Sequence, residues 1–361
     1  MGVSYGYHKS LASFLRLLVK PRLHLNPKPD EVALVPSRDD DQTIKTHIYK
    51  PATQTGPTPV LINFCGSGFV LRTFGSDDEY CRFVADNANY TVIDVQYRLA
   101  PEHPFPAAFH DAEDVVNWVR SQPDRFDLTQ LSLSGFSAGA NIALAVASAS
   151  EQFNPKQGIF DTVISFYGPM DMSLPTPEKP QADRSNWIMR DIFPPFSHLC
   201  HKCLNLGRVD PKDPRMSPIL ADPNNFPNKT LIITAAQDPF AIEAEELSKK
   251  LNDTDGKVSV CERMEGCAHG WDKEAIRGTS QCDAKDEAYQ LAVKILRQKE
   301  SGAVPSALKE SGGKGKRDGS LRKHARYQPE ASFSSTIYSI LRPKLFDILR
   351  VLVAGLALIT Q

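Results

Sequence analysis

A serine bracketed by small residues, Gly135-Phe136-Ser137-Ala138-Gly139, is the first place in this chain where residue types and spacing could do chemistry. A serine hydroxyl is a poor nucleophile near neutral pH; it needs a base within hydrogen-bond reach and a third group to orient that base. Both residue types occur downstream in the order serine, acid, histidine. Asp238 stands before Pro239, and His269 lies in Gly266-Cys267-Ala268-His269-Gly270. Together they could attack a carbonyl, with Ser137 as nucleophile, His269 as base and Asp238 as the group that orients the imidazole. Each has a plainer explanation when taken singly. A glycine-bracketed serine often caps a helix, an aspartate before proline starts a turn, and a loop histidine is usually just surface.

The elements around these residues decide between the two accounts. Short β-rich runs at Val60 to Phe64, Tyr90 to Val95, Leu131 to Ser134, Thr162 to Phe166, Leu231 to Ala235 and Val258 to Met264 alternate with segments of helical period. This is the pattern of an α/β protein with a mostly parallel sheet and helices on both faces. Ala108, Ala112, Val115, Val116 and Val119 recur at helical spacing and predict a helix packed on that sheet. Thr43 to Tyr49, rich in β-branched residues, predicts an earlier antiparallel strand. Ser137, Asp238 and His269 all fall just past predicted strands, and strand ends of a parallel sheet share one rim, so the three can converge. The tetrahedral intermediate of an acyl transfer also needs hydrogen-bond donors. Ala138 offers a backbone N–H beside the nucleophile, and the small-residue loop Gly66, Ser67 and Gly68 offers the others.

Between residues 168 and 227 the alternation stops, and a proline-rich insertion carries Trp187, Ile188, Met189, Ile192, Phe193 and Phe196. A structureless loop of that length is improbable in a compact domain, so helices forming a cap over the sheet edge are expected. The expected organisation is an N-terminal cap segment over 1–30, the catalytic domain over 31–300 and a separate tail over 301–361. The tail opens with a basic, glycine-containing stretch suited to a flexible linker. It ends in an apolar segment broken by Arg342, Lys344, Asp347 and Arg350, too short to span a bilayer; weak contact with a membrane surface is one reading of it and a packed or idle extension the other. The apolar stretch Leu11 to Val19 is interrupted by Arg16, so a secretory signal is not expected and a cytoplasmic location is.

A formal net charge of -1 gives no basic excess for nucleic acid, and a small uncharged partner fits better. Seven cysteines at irregular spacing do not form a disulfide framework and read as reduced thiols. Cys200 and Cys203 make a CxxC without a second ligand pair, read here as two packing cysteines in a loop. No metal or other cofactor is called for.

The runs Asn63-Phe64-Cys65-Gly66-Ser67-Gly68-Phe69-Val70 and Tyr97-Arg98-Leu99-Ala100-Pro101-Glu102-His103-Pro104-Phe105-Pro106-Ala107-Ala108, followed by Gly135 to Gly139, Asp238-Pro239 and His269-Gly270, resemble the hormone-sensitive-lipase family of carboxylesterases. The resemblance implies an α/β-hydrolase core with a helical cap, no metal, and hydrolysis of carboxylic esters through an acyl-enzyme; the apolar content suggests that these are small and uncharged. It also implies a substrate pocket, here expected to include Phe69, Phe136, Trp187, Ile188 and Phe193. Three positions depart from the family pattern: Cys65 where the oxyanion loop usually begins with histidine, Phe136 where an acidic residue often precedes the nucleophile, and Gln96 where an aspartate usually precedes the tyrosine. Cysteine cannot make histidine's hydrogen bonds, which predicts a less firmly held loop. Two other functions stay open on the same fold: a non-catalytic small-molecule binder, and an acyltransferase or lactonase using the same triad.

Overall fold

The computed structural model of the protein describes residues 2–19, 25–53, 56–153, 158–206 and 208–298. The tail over 301–361, with the linker and membrane-surface readings attached to it, lies outside the described residues. Eight strands form one sheet: β1 (Glu31–Pro36), β2 (Thr43–Tyr49), β3 (Thr58–Phe64), β4 (Thr91–Val95), β5 (Phe126–Phe136), β6 (Thr162–Phe166), β7 (Lys229–Ala235) and β8 (Val258–Met264), in the spatial order β1-β2-β4-β3-β5-β6-β7-β8. The pairs β1/β2 and β2/β4 are antiparallel and every other pair is parallel. Strands β2, β6 and β8 have the bounds expected from sequence, whereas β1 carried no such signal. Its Val32 and Leu34 face solvent, so the alternation that marks a half-buried strand is inverted there.

Buried residues alternate along the central strands. Val60, Ile62 and Phe64 of β3 face one layer and Leu61 the other; Leu131 and Leu133 of β5 oppose Phe136. The first layer holds α3 (Ala107–Arg120), α4 (Ala138–Ala149) and α6 (Ala241–Asn252), and the second holds α2 (Asp78–Ala88) and α7 (Ser280–Arg297). With side chains buried on both faces, the parallel strands read as near-continuous apolar runs. An N-terminal helix, α1 (Gly2–Val19), is tied to this body by Arg16. Arg16 Nε donates to Val70 O at 2.8 Å, Nη2 to Ala100 O at 2.8 Å, and Nη1 to Glu102 Oε1 at 2.7 Å.

Between β6 and β7 the chain carries short 3-10 turns, one π-type turn over Ile188–Ile192, and α5 (Phe193–Asn205). Asn141 of α4 fastens this segment at two points, donating to Pro169 O at 2.9 Å and Met216 O at 2.8 Å. Cys200 and Cys203 are buried on α5 rather than in a loop, and all seven cysteines are free. Among the described residues no helix is long and apolar enough to cross a membrane.

Candidate active site

Ser137 occupies the turn between β5 and α4 with φ 51 and ψ -116, backbone that an L residue adopts only under strain. The glycines on either side permit the turn. A Cβ on Gly135 would lie 2.3 Å from Gly139 C, and a Cβ on Gly139 would lie 1.9 Å from Phe64 O, so α4 can approach β3 only where no side chain intervenes. The backbone N–H of Ser137 donates to Phe166 O at 2.9 Å, fixing the turn to β6. The hydroxyl is thereby presented at the carboxyl rim of the sheet, at the N-terminus of α4, where the helix dipole favours negative charge.

Asp238 and His269 reach the same rim from the ends of β7 and β8. His269 Nε2 lies 2.8 Å from Ser137 Oγ and His269 Nδ1 lies 2.6 Å from Asp238 Oδ2. Asp238 is fully buried, and its other oxygen accepts the N–H of Phe240 at 2.9 Å, so the carboxylate has one fixed orientation. Tyr167, Phe193 and Phe240 enclose the imidazole, with ring centroids 4.9, 4.5 and 5.5 Å away. Such walls displace water and strengthen every electrostatic interaction inside them.

Gly66, Ser67, Gly68 and Ala138 border the same cavity as Ser137 and His269. Cys65 does not leave the loop loosely held, contrary to the expectation from its side chain, because its main chain is gripped instead. Tyr97 Oη donates to Cys65 O at 2.6 Å and lies 2.7 Å from Ser67 Oγ, while Thr73 Oγ1 donates to Gly66 O at 2.6 Å. Ser67 Oγ also accepts the N–H of Phe69 at 2.9 Å. Burial pushes the Cys65 thiol up, aided by Asp94 and Asp77, so it remains neutral.

Behind the loop lies a buried polar cluster. Asn63 Nδ2 donates to Asp77 Oδ2 and Asp94 Oδ1, and Lys273 Nζ pairs with Asp77 at 2.8 Å and Asp272 at 2.9 Å. Asp272 in turn accepts from Tyr167 and Tyr289. Lys273 thus joins the segment that follows the 66–68 loop to the segment that carries His269. Burial beside Asp77 pushes the Asp94 carboxyl well up, which favours its protonated form.

The five residues expected to face substrate divide. Phe69 and Phe193 line the cavity, whose volume is about 210 Å³. Phe136, Trp187 and Ile188 do not. Phe136 ends β5 on the opposite parity from Gly135, so it enters the layer under α2 and α7, stacked on Phe166 at 4.4 Å. Trp187 is 45% exposed before α5 begins, and Ile188 opens the π-type turn beside it. Phe196, Ser197, Cys200 and His201 line the cavity in their place. With Phe193 they fall at i, i+3, i+4, i+7 and i+8 of one helix face, a period that the sequence carries and that would have found them. Tyr167 and Phe240 were also missed; each follows a strand that the sequence does indicate.

Known proteins resemble this chain in sequence and in fold. The carboxylic ester hydrolase LipN of Mycobacterium tuberculosis is 31% identical over 209 residues, covering 56% of this chain and 54% of LipN. The chain therefore spans about half the length of that relative. An arylesterase of Saccharolobus solfataricus is 26% identical over 235 residues, 64% of this chain and 74% of its own. Among solved structures, an esterase of Pyrobaculum calidifontis superposes with a TM-score of 0.65 at 24% identity, over 82% of this chain and 92% of that one, a likeness of fold. The sequence profile described as alpha/beta hydrolase fold matches residues 61–273, from within β3 to just past His269. With strands β4 to β8, part of β3 and the strand-to-helix turn at Ser137 in that span, the chain belongs to the alpha/beta hydrolase fold family.

Proposed function

We propose that the chain is a serine carboxylesterase, of the hormone-sensitive-lipase type that its motifs resemble, hydrolysing small uncharged esters. The observation that carries this reading is the continuous hydrogen-bonded chain from Ser137 Oγ through His269 to the buried Asp238, at 2.8 and 2.6 Å. Ser137 Oγ attacks the ester carbonyl carbon as His269 Nε2 takes the hydroxyl proton, and Asp238 stabilises the imidazolium. The carbonyl oxygen becomes an oxyanion facing the N–H groups of the 66–68 loop and of Ala138. Collapse of the intermediate breaks the bond to the alcohol oxygen, which leaves with the proton from His269. Water then attacks the acyl-enzyme with His269 again as base, releasing the acid and restoring Ser137.

The names of the relatives, a carboxylic ester hydrolase and an arylesterase, support the reaction class. The apolar walls contributed by Phe69, Phe193, Phe196 and Phe240 support an uncharged substrate, since Lys273, which also borders the cavity, is already held between two carboxylates. The intact Ser137–His269 contact favours catalysis over binding alone. Turnover of 4-nitrophenyl acetate or butyrate by the purified chain is the test. The rate should fall by at least about 10³-fold in Ser137→Ala with circular dichroism unchanged. Undiminished turnover in that variant would remove the proposal.

A further inference from the structure

The face of α5 that covers the cavity is not uniformly apolar. Phe193, Phe196 and Cys200 present carbon and sulfur, but Ser197 and His201, one turn apart on the same face, also border the space. His201 sits between two rings, 6.3 Å from Phe69 and 6.2 Å from Phe240, the latter inclined by only 25°. A polar group in such a wall costs desolvation unless it is satisfied. Here it is only half satisfied. Thr176 Oγ1 donates to Ser197 Oγ at 3.4 Å, and Ser197 Oγ lies 3.4 Å from His201 Nε2, both long for hydrogen bonds. Among the described residues Ser197 is the hydrogen-bond partner of this imidazole, through Nε2, and the ring borders the open cavity. Burial, reinforced by Lys179 and His198, pushes this imidazole down to about 3, so it stays neutral with one N–H and one lone pair. The proton transfers of the proposed reaction use His269 and leave His201 without a role.

We propose that His201, oriented by Ser197, is a specificity-determining residue that hydrogen-bonds an oxygen on the apolar part of the ester. The substrate class is then a neutral, ring-bearing ester with a hydroxyl or carbonyl oxygen remote from the bond that is cleaved. The flanking rings of Phe69 and Phe240 suit a flat group, and a neutral imidazole can donate to or accept from such an oxygen. A site built to hold that oxygen penalises the analogue lacking it, because its own polar group is then left unpaired in the apolar wall. This inference rests on the reading of Ser137 as the nucleophile of an esterase.

Two matched pairs of esters test it, one for each side of the scissile bond. The first is 4-nitrophenyl 3-phenylpropanoate against 4-nitrophenyl 3-(4-hydroxyphenyl)propanoate; the second is 2-phenylethyl acetate against 2-(4-hydroxyphenyl)ethyl acetate. In the unaltered protein the hydroxylated member of at least one pair should have a kcat/KM roughly 3- to 10-fold higher, the worth of one neutral hydrogen bond, expressed mainly in KM. In His201→Phe that ratio should fall to about 1, and Ser197→Ala should lower it part of the way. His201→Gln, which keeps a donor and an acceptor, should retain some preference and serves if the phenylalanine variant does not fold. A ratio in His201→Phe equal to that of the unaltered protein, or no preference in either pair, would overturn the inference while Ser137-dependent turnover of the plain esters leaves the esterase reading standing. If none of the four esters is hydrolysed while 4-nitrophenyl acetate is, this inference alone falls; if that ester is not hydrolysed either, the esterase reading falls with it.

Discussion

At the scale of single residues, the 65–68 loop is held in part by one phenolic hydroxyl. Tyr97 Oη bonds Cys65 O and contacts Ser67 Oγ in a buried setting, so Tyr97→Phe leaves both polar atoms short of a partner. It should destabilise the fold by about 1–3 kcal/mol in urea denaturation and, by loosening the N–H groups proposed to receive the oxyanion, lower kcat roughly 10-fold with little change in KM. An unchanged kcat would show that the loop holds itself without the tyrosine. Ser137, Asp238 and His269 were legible as a group because each follows a strand that its own apolar run reveals. Phe136 was misplaced for the converse reason. Its neighbour Ser137 faces the cavity, but parity along β5 sends the phenyl ring into the opposite layer, and a motif read as a string carries no parity.

At the scale of elements, the close approach of α4 to β3 is set by backbone, not by side-chain choice. A Cβ on Gly139 would stand 1.9 Å from Phe64 O, so Gly139→Ala forces the two elements apart and should destabilise by more than about 4 kcal/mol or prevent folding. Gly266, with φ 67 and open space around its missing Cβ, is the contrast: Gly266→Ala should cost only about 1–2 kcal/mol. Thermal melts of the two variants distinguish a steric requirement from a conformational one.

Helix α1 makes a second prediction, of pH dependence. The Arg16 guanidinium beside Glu102 holds that carboxyl below its ordinary value of 4.5. A lowered folded value means that the pair's contribution is complete above about 4.5 and is lost as pH falls through the folded value. Denaturation midpoints measured from pH 6 to pH 3.5 should therefore fall less steeply in Arg16→Ala than in the unaltered protein, and parallel slopes would count against the contact. The insertion between β6 and β7 was legible only as a region. Its bulky Trp187 and Ile188 drew attention to themselves, yet α5 begins after them, and the residues it turns toward the cavity include the small and polar Ser197, Cys200 and His201.

At the scale of the whole molecule, a mostly parallel sheet explains how side chains 101 and 31 positions apart, counted 137 to 238 and 238 to 269, meet at one point: every parallel strand delivers its carboxyl end to the same rim. The sheet was legible because its central strands are continuous apolar runs, and its edge was not, because β1 turns Val32 and Leu34 outward. All seven cysteines are free, six of them buried, so no covalent link supports this core. A reductant such as dithiothreitol should leave the melting temperature unchanged, and a fall would point to a disulfide. The claim on which the rest depends is that Ser137 is an activated nucleophile, and labelling by a fluorophosphonate followed by peptide mass spectrometry tests it most directly. The adduct should form on Ser137 alone and should be slowed by at least about 10²-fold in His269→Ala, where the base is missing. A protein left unlabelled, or labelled equally well without His269, would contradict the account.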